Sequence, residues 1–498
     1  MSLNILALDL GAESGRAILG RLQAGRLELK EIHRFANDPV CLSDGLHWDA
    51  LRLFSELKAG LRLAREEVGR DGLSSIGLDT WGVDFGLLDQ RGDLLGNPYH
   101  YRDSRTDGMV EQACELAGSS RGEGKQIIFE ATGIQFMQLN TLYQLLAMRL
   151  NGAPALQAAR TFLTMPDLFN YWLTGRQASE FSIATTTQCY DPRAGRWAFP
   201  LLEKLGIPTR IFPEIAPTGS VMGELLPWVA EETGLTGVQV IAPACHDTGS
   251  AVAAVPTRNK DFAYLSSGTW SLLGAELPAP EINPATLALN VTNEGGAGGT
   301  IRFLKNITGL WLVQECRRIW AAQGEPLSYD EVTHLAAEAA PFRSLVDPDW
   351  PDFLKPGDMP ARIVEFCKLA HQPLPETRGQ IIRCALESLA LKYRMTIESL
   401  ERVLGHRLDP LHIVGGGTKN RLLNQFAANA TGRTVITGPV EATAIGNILV
   451  QAVALGELAS LAEARAVVRQ SFDMAVYEPQ QPARWDEAYA RFCTLQSH

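Results

Sequence analysis

Two aspartates stand where an apolar strand is expected to end, and they restrict the fold more than any other feature of the chain. Asp9 follows the apolar residues 5–8 and precedes a turn that contains Gly11. Asp247 follows the apolar residues 238–242 and precedes a stretch of small residues with helical character. A strand that ends at a carboxylate before a turn or a helix indicates an α/β fold with charge at a sheet edge. One such carboxylate suits a metal ion, and the other suits proton transfer.

Length and composition indicate a globular enzyme of two or more domains. A chain of 498 residues exceeds what one hydrophobic core usually holds. Its net charge of -11 is spread along the sequence without a basic block, so a nucleic-acid partner is not expected. We find no apolar stretch of membrane-spanning length, and Asp9 interrupts the N-terminal apolar run before a signal-peptide core. These features predict a cytoplasmic protein without a membrane partner.

The eight cysteines include no Cys-x-x-Cys pair, which argues against a zinc or thioredoxin-type site. We expect most of them to be buried thiols. A disulfide between Cys367 and Cys384 is disfavoured in a reducing compartment. The sequence leaves open whether the protein is a monomer or a dimer.

One succession of strand, glycine turn and strand occurs twice, at residues 5–19 and at residues 262–273. Helical segments follow each occurrence, so the pattern predicts two related α/β halves. The polar segment near residues 256–261 is the expected boundary, which gives domains of residues 1–255 and 256–498. We expect the active site to lie between the halves, where pockets are common.

Three glycine turns are candidates for phosphate binding, because exposed backbone N–H groups hold phosphate oxygens. They are residues 11–15 with the neighbouring Arg16, residues 266–269, and residues 415–417. An ordinary structural turn is the alternative for each of them.

Two commoner nucleotide motifs are absent. Residues 118–126 have a superficial likeness to a P-loop, but the glycine is displaced by one position and Gln126 replaces the usual Ser or Thr. We therefore predict a loop there. No Gly-x-Gly-x-x-Gly segment opens a helix after a strand, so dinucleotide binding is not supported.

Residues 78–85 and 100–105 are candidates for sugar recognition, because they combine carboxylates, aromatic side chains and backbone exposed at a glycine. For any single residue of these runs, a place in the core or in a salt bridge is the favoured alternative. His246 is more often a positioning hydrogen bonder than a base.

In this order, the segments resemble the FGGY family of carbohydrate kinases, within the actin and hexokinase superfamily, over about residues 4–475. The resemblance rests on residues 9–16, 79–85, 246–250, 267–271, 305–314 and 415–417. It implies two ribonuclease H-like (actin-like ATPase) domains with a nucleotide and sugar cleft between them. The N-terminal domain would then bind the sugar and supply the base, and the C-terminal domain would bind ATP.

The resemblance also implies individual roles. Asp247 would be the general base, Asp9 would hold Mg²⁺ through water, and Gly446 would permit a close helix crossing. The residues implied to contact the sugar are Gly82, His246, Asp247, Thr248 and Asn306. The residues implied to contact ATP are Ala12, Glu13, Ser14, Gly15, Arg16, Thr269, Gln314 and Gly416.

The implied activity is phosphorylation of a ketose at O1 by ATP. Many family members have Thr or Ser where this chain has Ala12 and Glu13, and Trp where it has Tyr101. In these departures the chain resembles the branch of the family that acts on L-rhamnulose in L-rhamnose catabolism. Other acceptors of the family, such as L-fuculose, L-ribulose, D-xylulose or glycerol, stay open. A non-catalytic sugar- or nucleotide-binding protein is the alternative from another class, and the presence of both Asp9 and Asp247 argues against it.

Overall fold

The computed structural model describes residues 2–69 and 72–495. The chain forms two compact units, and each unit is built from three separate segments of the sequence. Unit 1 comprises Met1–Arg258, Glu276–Phe303 and Ala442–Phe472, and unit 2 comprises Asn259–Ala275, Leu304–Glu441 and Asp473–His498. The predicted mixed α/β fold is confirmed. The functional division at residue 255 stays a prediction.

Many of the strands in the described residues are short. They are β1 (Leu3–Leu10), β2 (Ser14–Gln23), β3 (Arg26–Ala36), β4 (Val40–Leu42), β5 (Gly45–His47), β6 (Ser75–Thr80), β7 (Phe85–Leu88), β8 (Thr161–Thr164), β9 (Ala178–Glu180), β10 (Tyr190–Asp191), β11 (Arg196–Trp197), β12 (Glu214–Ala216), β13 (Ser220–Glu224), β14 (Gln239–Ala242), β15 (Ala263–Ser267), β16 (Trp270–Leu277), β17 (Thr292–Gly295), β18 (Ile301–Thr308), β19 (Leu411–Val414), β20 (Val435–Thr437) and β21 (Ala475–Tyr477).

The helices between them range from single turns to the long α15. They are α1 (Ala50–Val68), α2 (Met109–Ala117), α3 (Arg121–Thr132), α4 (Thr141–Leu150), α5 (Pro154–Ala158), α6 (Met165–Thr174), α7 (Phe181–Thr186), α8 (Phe199–Lys204), α9 (Pro227–Thr233), α10 (Asp247–Ala253), α11 (Pro284–Leu289), α12 (Trp311–Ala322), α13 (Tyr329–Glu338), α14 (Met359–Leu369), α15 (Arg378–Leu404), α16 (Arg421–Thr431), α17 (Ala442–Ala454), α18 (Leu461–Ser471) and α19 (Pro482–Thr494). None of the helices in the described part of the chain combines the length and the apolar character needed to cross a bilayer.

The main sheet of unit 1 has the strand order β13-β14-β6-β1-β2-β3. The antiparallel hairpins β1–β2 and β2–β3 form one side of it, and β6 pairs in parallel with both β1 and β14. Because the carboxyl ends of parallel strands meet at one edge, Asp9 lies beside Asp79, and Thr80 forms a bridge with His246. The topology therefore gathers the predicted carboxylates at this edge.

Helices bury both faces of the central strand β1. On one face, α1 packs its apolar side chains against Leu6, Leu8 and Leu10 in a continuous core. Helix α17 also contacts β1, since the Gln451 side chain donates a hydrogen bond to the Leu6 carbonyl at 3.1 Å. Burial by helices explains why residues 5–8 of β1 form a continuous apolar run before Asp9, and not an alternating one.

The second large sheet has seven strands in the order β17-β18-β16-β15-β19-β20-β21, and from β18 onward it repeats the strand pattern of the first sheet. β15 pairs antiparallel with β16 and parallel with β19, β20 extends the parallel set, and the antiparallel β21 forms the edge. In each sheet, the first strand of a hairpin pairs antiparallel with the second strand. On its other side, two parallel strands follow in turn, and an antiparallel strand forms the edge. The predicted repetition of one α/β pattern agrees with this topology.

The loop predicted for residues 118–126 is wrong, because α3 begins at Arg121. Ser120 accepts the N–H of Glu123 at its N-terminus, and the Glu123 carboxylate accepts the N–H of Ser119 in return. Reciprocal bonds of this kind stabilise a helix start. Gly124 lies where the Cys114 carbonyl of α2 approaches, so its lack of a side chain serves helix packing.

Candidate active site

Three carboxylates meet at the carboxyl edge of the unit 1 sheet: Asp9 of β1, Asp79 of β6, and Asp247 at the first position of α10. Asp79 is fully buried, and burial together with the negative charge of Asp9 raises its pKa well above the usual value. Asn447 of α17 opposes this by donating to Asp79 Oδ2 at 2.6 Å. The Asp79 Oδ1 atom is buried and has no hydrogen-bond partner in the described part of the chain.

The β1–β2 hairpin pairs Asp9 with a cation. Asp9 and Arg16 are register partners across the hairpin, and Arg16 Nη2 donates to Asp9 Oδ2 at 2.5 Å. Only 4% of the Asp9 side chain is exposed, against 21% for Arg16. Local strand pairing therefore fixes a buried carboxylate and its counter-ion together.

Asp247 differs from the other two carboxylates because 31% of its side chain is exposed. Its Oδ1 accepts the backbone N–H of Thr248 at 2.5 Å and the Thr248 hydroxyl at 3.0 Å. The other carboxylate oxygen is not used by these bonds. Of the three acids, Asp247 is the one that an acceptor molecule can reach.

Glu180 holds the turn that carries Asp247. Its Oε2 accepts the Ser182 hydroxyl at 2.6 Å and the N–H of Cys245 at 3.1 Å, and Ser182 Oγ in turn accepts the N–H of His246 at 3.1 Å. Burial raises the Glu180 pKa, and hydrogen bonds from Ser182 and Thr218 counteract the shift. The strand-to-helix turn is thereby held by side-chain acceptors that do not depend on sheet pairing.

Asp167 supports Glu180 from behind. It accepts the Glu180 N–H at 3.0 Å and the Thr164 hydroxyl at 2.5 Å. Burial raises its pKa to about 8 from an ordinary value of 3.8. Near neutral pH the folded protein therefore keeps a proton on Asp167 that the unfolded chain releases.

This proton makes stability depend on pH. The contribution of Asp167 is fully present below the unfolded value of 3.8 and is lost as the pH rises through about 8. Within that window, the free energy of unfolding falls by at most about 1.4 kcal/mol for each pH unit. We expect Asp167→Asn, which mimics the protonated acid, to flatten the fall in urea midpoint between about pH 4 and about pH 8. The exposed Asp330→Asn serves as the control. An unchanged slope in Asp167→Asn would show that Asp167 is ionised in the folded protein.

His246 and Gly82 lie next to Asp247. His246 Nε2 is 3.4 Å from Asp247 Oδ1, and its Nδ1 is 2.9 Å from Arg302 Nη2. A Cβ on Gly82 would lie 3.4 Å from His246 Nε2 and 3.2 Å from Thr186 Oγ1. The absence of a side chain at Gly82 leaves space in front of the imidazole.

The predicted ATP contacts of unit 1 share the turn between β1 and β2. Gly11 N–H donates to the Ser14 carbonyl at 2.9 Å, and Asn37 binds the turn through the carbonyls of Gly11 and Glu13. A Cβ on Gly15 would collide with the Phe35 ring. The turn therefore follows a tight path and brings residues 12–16 close to Asp9.

The remaining predicted contacts belong to unit 2. The Thr269 carbonyl accepts the N–H groups of Gly309 and Trp311, which places it at the start of α12 and one turn before Gln314. The residues on either side of the exposed Gly416 pack against Ser267. Unit 2 thus assembles Thr269, Gln314 and Gly416 around one turn, and Asn306 lies on β18, the strand that leads into α12.

The side chain of Gln314 has a buried hydrogen-bond acceptor that a ligand could satisfy. Its Oε1 atom is buried and has no hydrogen-bond partner among the residues that the structure describes. A buried acceptor without a donor costs free energy unless a ligand supplies one. This observation is compatible with the predicted contact to ATP.

Several residues of this region were not predicted as site residues. They are Glu180, Glu294 and Arg302, whereas Asp79 was predicted only as a member of the sugar-recognition run of residues 78–85. Asp79 ends its strand in the same way as Asp9, and Arg302 is a lone charge in the apolar run of residues 301–304, so both carried a signal. Glu180 had none, because the residue of the site that it binds, Cys245, lies 65 positions away in sequence.

The structure also bears on metals and thiols. Among residues 2–69 and 72–495, no three His, Cys, Asp or Glu side chains are arranged to hold a metal ion directly. Cys367 and Cys384 are buried free thiols, and a disulfide between them is absent from the structure.

Two family models match the chain and together cover most of it. The N-terminal domain of the FGGY family of carbohydrate kinases matches residues 4–254, and the C-terminal domain of that family matches residues 263–455. The family predicted from the motifs is thereby confirmed.

Curated relatives and solved structures agree with this match. A rhamnulokinase of Bacteroides thetaiotaomicron is 46% identical over 492 residues, which cover 99% of each chain, and a rhamnulokinase of Oceanobacillus iheyensis is 41% identical over 472 residues, 95% of this chain and 97% of the relative. The gluconate kinase of Lactobacillus acidophilus superposes with a TM-score of 0.82 at 16% identity, covering 100% of this chain and 98% of that one. Plasmodium falciparum glycerol kinase with ADP gives 0.79 at 15%, with the same coverage. These two structures establish the fold alone. The chain belongs to the FGGY family of carbohydrate kinases.

Proposed function

We propose that the protein transfers the γ-phosphoryl group of ATP to O1 of L-rhamnulose, giving L-rhamnulose 1-phosphate and ADP in L-rhamnose catabolism. The relatives named rhamnulokinase support this choice, since they match nearly the whole chain at 46% and 41% identity. Membership in a kinase family implies ATP as co-substrate. The cytoplasm is the proposed location.

The accessible carboxylate of Asp247 carries the proposal. Asp247 accepts the proton of the O1 hydroxyl, O1 forms a bond to the γ-phosphorus, and the bond from that phosphorus to the bridging oxygen of ADP breaks. Thr248 restrains one carboxylate oxygen of Asp247, which leaves the other for the sugar. The buried Asp9 and Asp79 do not have the exposure that this role requires.

The residues around Asp9 fit Mg²⁺ held through water. Mg²⁺ prefers oxygen ligands, keeps several waters, and is often held by one or two carboxylates plus substrate phosphates. Asp9 supplies such a carboxylate, and Oδ1 of the neighbouring Asp79 is a second buried oxygen that has no hydrogen-bond partner among the described residues. When bound, the ion would neutralise phosphate charge.

The proposed binding roles follow the two groups of residues. Gly82, His246, Thr248 and Asn306 contact the sugar, and residues 12–16 with Thr269, Gln314 and Gly416 contact ATP. The proposed N-terminal domain, residues 1–255, supplies the base, most sugar contacts and the nucleotide contacts of residues 12–16, and residues 256–498 supply Thr269, Gln314 and Gly416 to the nucleotide.

A panel of acceptors tests this function. ADP release is measured with Mg-ATP and L-rhamnulose, L-fuculose, L-ribulose, D-xylulose, glycerol or no sugar. We expect the highest kcat/KM with L-rhamnulose. Preference for another sugar would keep the kinase and reject the substrate, and no stimulation by any sugar would favour the binding-protein alternative.

Gly82→Ala tests the sugar side of the site. The added methyl group would stand 3.4 Å from His246 Nε2, where the proposed sugar approaches. We expect the KM for the sugar to rise about tenfold or more, because one misplaced methyl group typically has an effect of that size, while the KM for ATP stays near the wild-type value. Gly122→Ala, which meets nothing within 4 Å, is the control. An unchanged sugar KM in Gly82→Ala would exclude Gly82 from the sugar site.

A further inference from the structure

The imidazole of His246 has a buried guanidinium on the side away from Asp247. Arg302 is completely buried, and its Nη2 lies 2.9 Å from His246 Nδ1 with an N–H directed at that atom. Its Nε donates to the Gly295 carbonyl at 2.8 Å. The backbone contact fixes the plane of the guanidinium, so the direction of the N–H toward His246 is built into the fold.

This contact determines which imidazole nitrogen bears the proton. A guanidinium has donors only and stays protonated in proteins. His246 Nδ1 must therefore accept. In a neutral imidazole the nitrogen that does not accept carries the hydrogen, so the proton of His246 lies on Nε2.

Glu294 offers a competing arrangement. Its Oε2 is 3.2 Å from His246 Nδ1 and would accept a proton placed there. However, Arg302 Nη2 is also 3.0 Å from Glu294 Oε2 and neutralises this carboxylate. A proton on Nδ1 would also face the N–H of Arg302, and two donors that point at each other repel. The geometry favours the arrangement with the proton on Nε2.

We propose that Arg302 is a positioning residue that fixes the Nε2–H tautomer of His246, so that the imidazole presents a donor, and not a base, to the catalytic carboxylate and the sugar. Nε2 lies 3.4 Å from Asp247 Oδ1, on the side that Gly82 leaves open. With the opposite tautomer, a lone pair would face the Asp247 carboxylate and compete with it for the O1 proton. The catalytic consequence rests on the proposed function, whereas the tautomer does not.

Nitrogen NMR of the ¹⁵N-histidine-labelled protein tests the tautomer directly. The His246 signals are assigned by their loss in His246→Gln. Without sugar or nucleotide, we expect a protonated Nε2 and an unprotonated Nδ1 at neutral pH. A protonated Nδ1 in the wild-type protein would overturn the proposal, whether or not the protein phosphorylates L-rhamnulose.

Variants connect the tautomer with turnover. Arg302→Met removes the donor, and we expect the His246 spectrum to show both tautomers and kcat with the preferred sugar to fall by about 10- to 100-fold, the usual effect of losing a group that orients a functional imidazole. Arg302→Lys keeps a charged donor, so we expect it to retain part of the Nε2–H population of His246 and part of the wild-type kcat. Because Arg302→Met removes the guanidinium that lies 3.0 Å from the buried Glu294, the double variant Arg302→Met/Glu294→Gln repeats the test if the single variant does not fold.

Arg433 provides a matched control. It is likewise buried and ion-paired with a glutamate, Glu401. Arg433→Met should therefore carry a similar folding penalty and leave the His246 spectrum unchanged. Binding of Mg-ADP by each variant shows that the protein is folded. A wild-type His246 spectrum in folded Arg302→Met would overturn the proposal, as would a kcat that does not fall.

Discussion

Asp247→Asn is expected to lower kcat for sugar phosphorylation by about 10² to 10⁴, with little change in the KM of either substrate. The amide has nearly the same shape as the carboxylate and can still accept the bonds from Thr248, so the turn is retained. What it loses is the capacity to take the O1 proton as the bond to phosphorus forms. Steady-state ADP release with the preferred sugar measures this effect.

Asp49→Asn is the matched control for this change. Like Asp247, Asp49 lies at the start of a helix. It caps α1 by accepting the N–H of Arg52 at 3.1 Å. Asn is as good a cap as Asp, so kcat should not change. Near-normal turnover by Asp247→Asn would show that another group accepts the proton, and the role of Asp247 would have to be abandoned.

Gly446→Ala is expected to destabilise unit 1 by about 1–3 kcal/mol, the usual cost of forcing a methyl group into a packed interior. Gly446 lies where α17 crosses α10, and a Cβ there would collide with the backbone carbonyl of Ser250. A backbone atom cannot move aside as a flexible side chain can. Because α10 begins at Asp247, we also expect kcat to fall. Urea unfolding and ADP release measure the two effects.

Gly122→Ala makes the same chemical change in a different setting. Gly122 lies in α3, and a Cβ there would meet nothing within 4 Å. Alanine is favoured over glycine in a helix by roughly 0.5–1 kcal/mol, so this variant should be as stable as the wild type or more stable. If both variants had the same stability, the close crossing at Gly446 would not exist in solution.

Local signals were sufficient for many elements. Helix α1 has a local signal at both ends, because Asp49 caps its start and Gly69 follows its end. The same holds for α15, which lies between Thr377 and Gly405. Local signals misled at residues 121–126, which belong to the run that superficially resembles a P-loop and that we predict to be a loop. There the cap at Ser120 and the packing of Gly124 on α2 outweigh the low helix propensity of glycine.

The sequence by itself determined the class of the fold, the repeated strand pattern, and Asp9 and Asp247 as carboxylates at strand ends, because periodicity and turn chemistry act over a few residues. Tertiary structure alone decided which buried groups those carboxylates and their neighbours meet. Arg302 reaches His246 across 56 positions, and Asn447 reaches Asp79 across 368. A buried polar group must find a partner somewhere, but sequence does not say where. Only the packed sheet and its covering helices bring such distant residues within hydrogen-bonding distance.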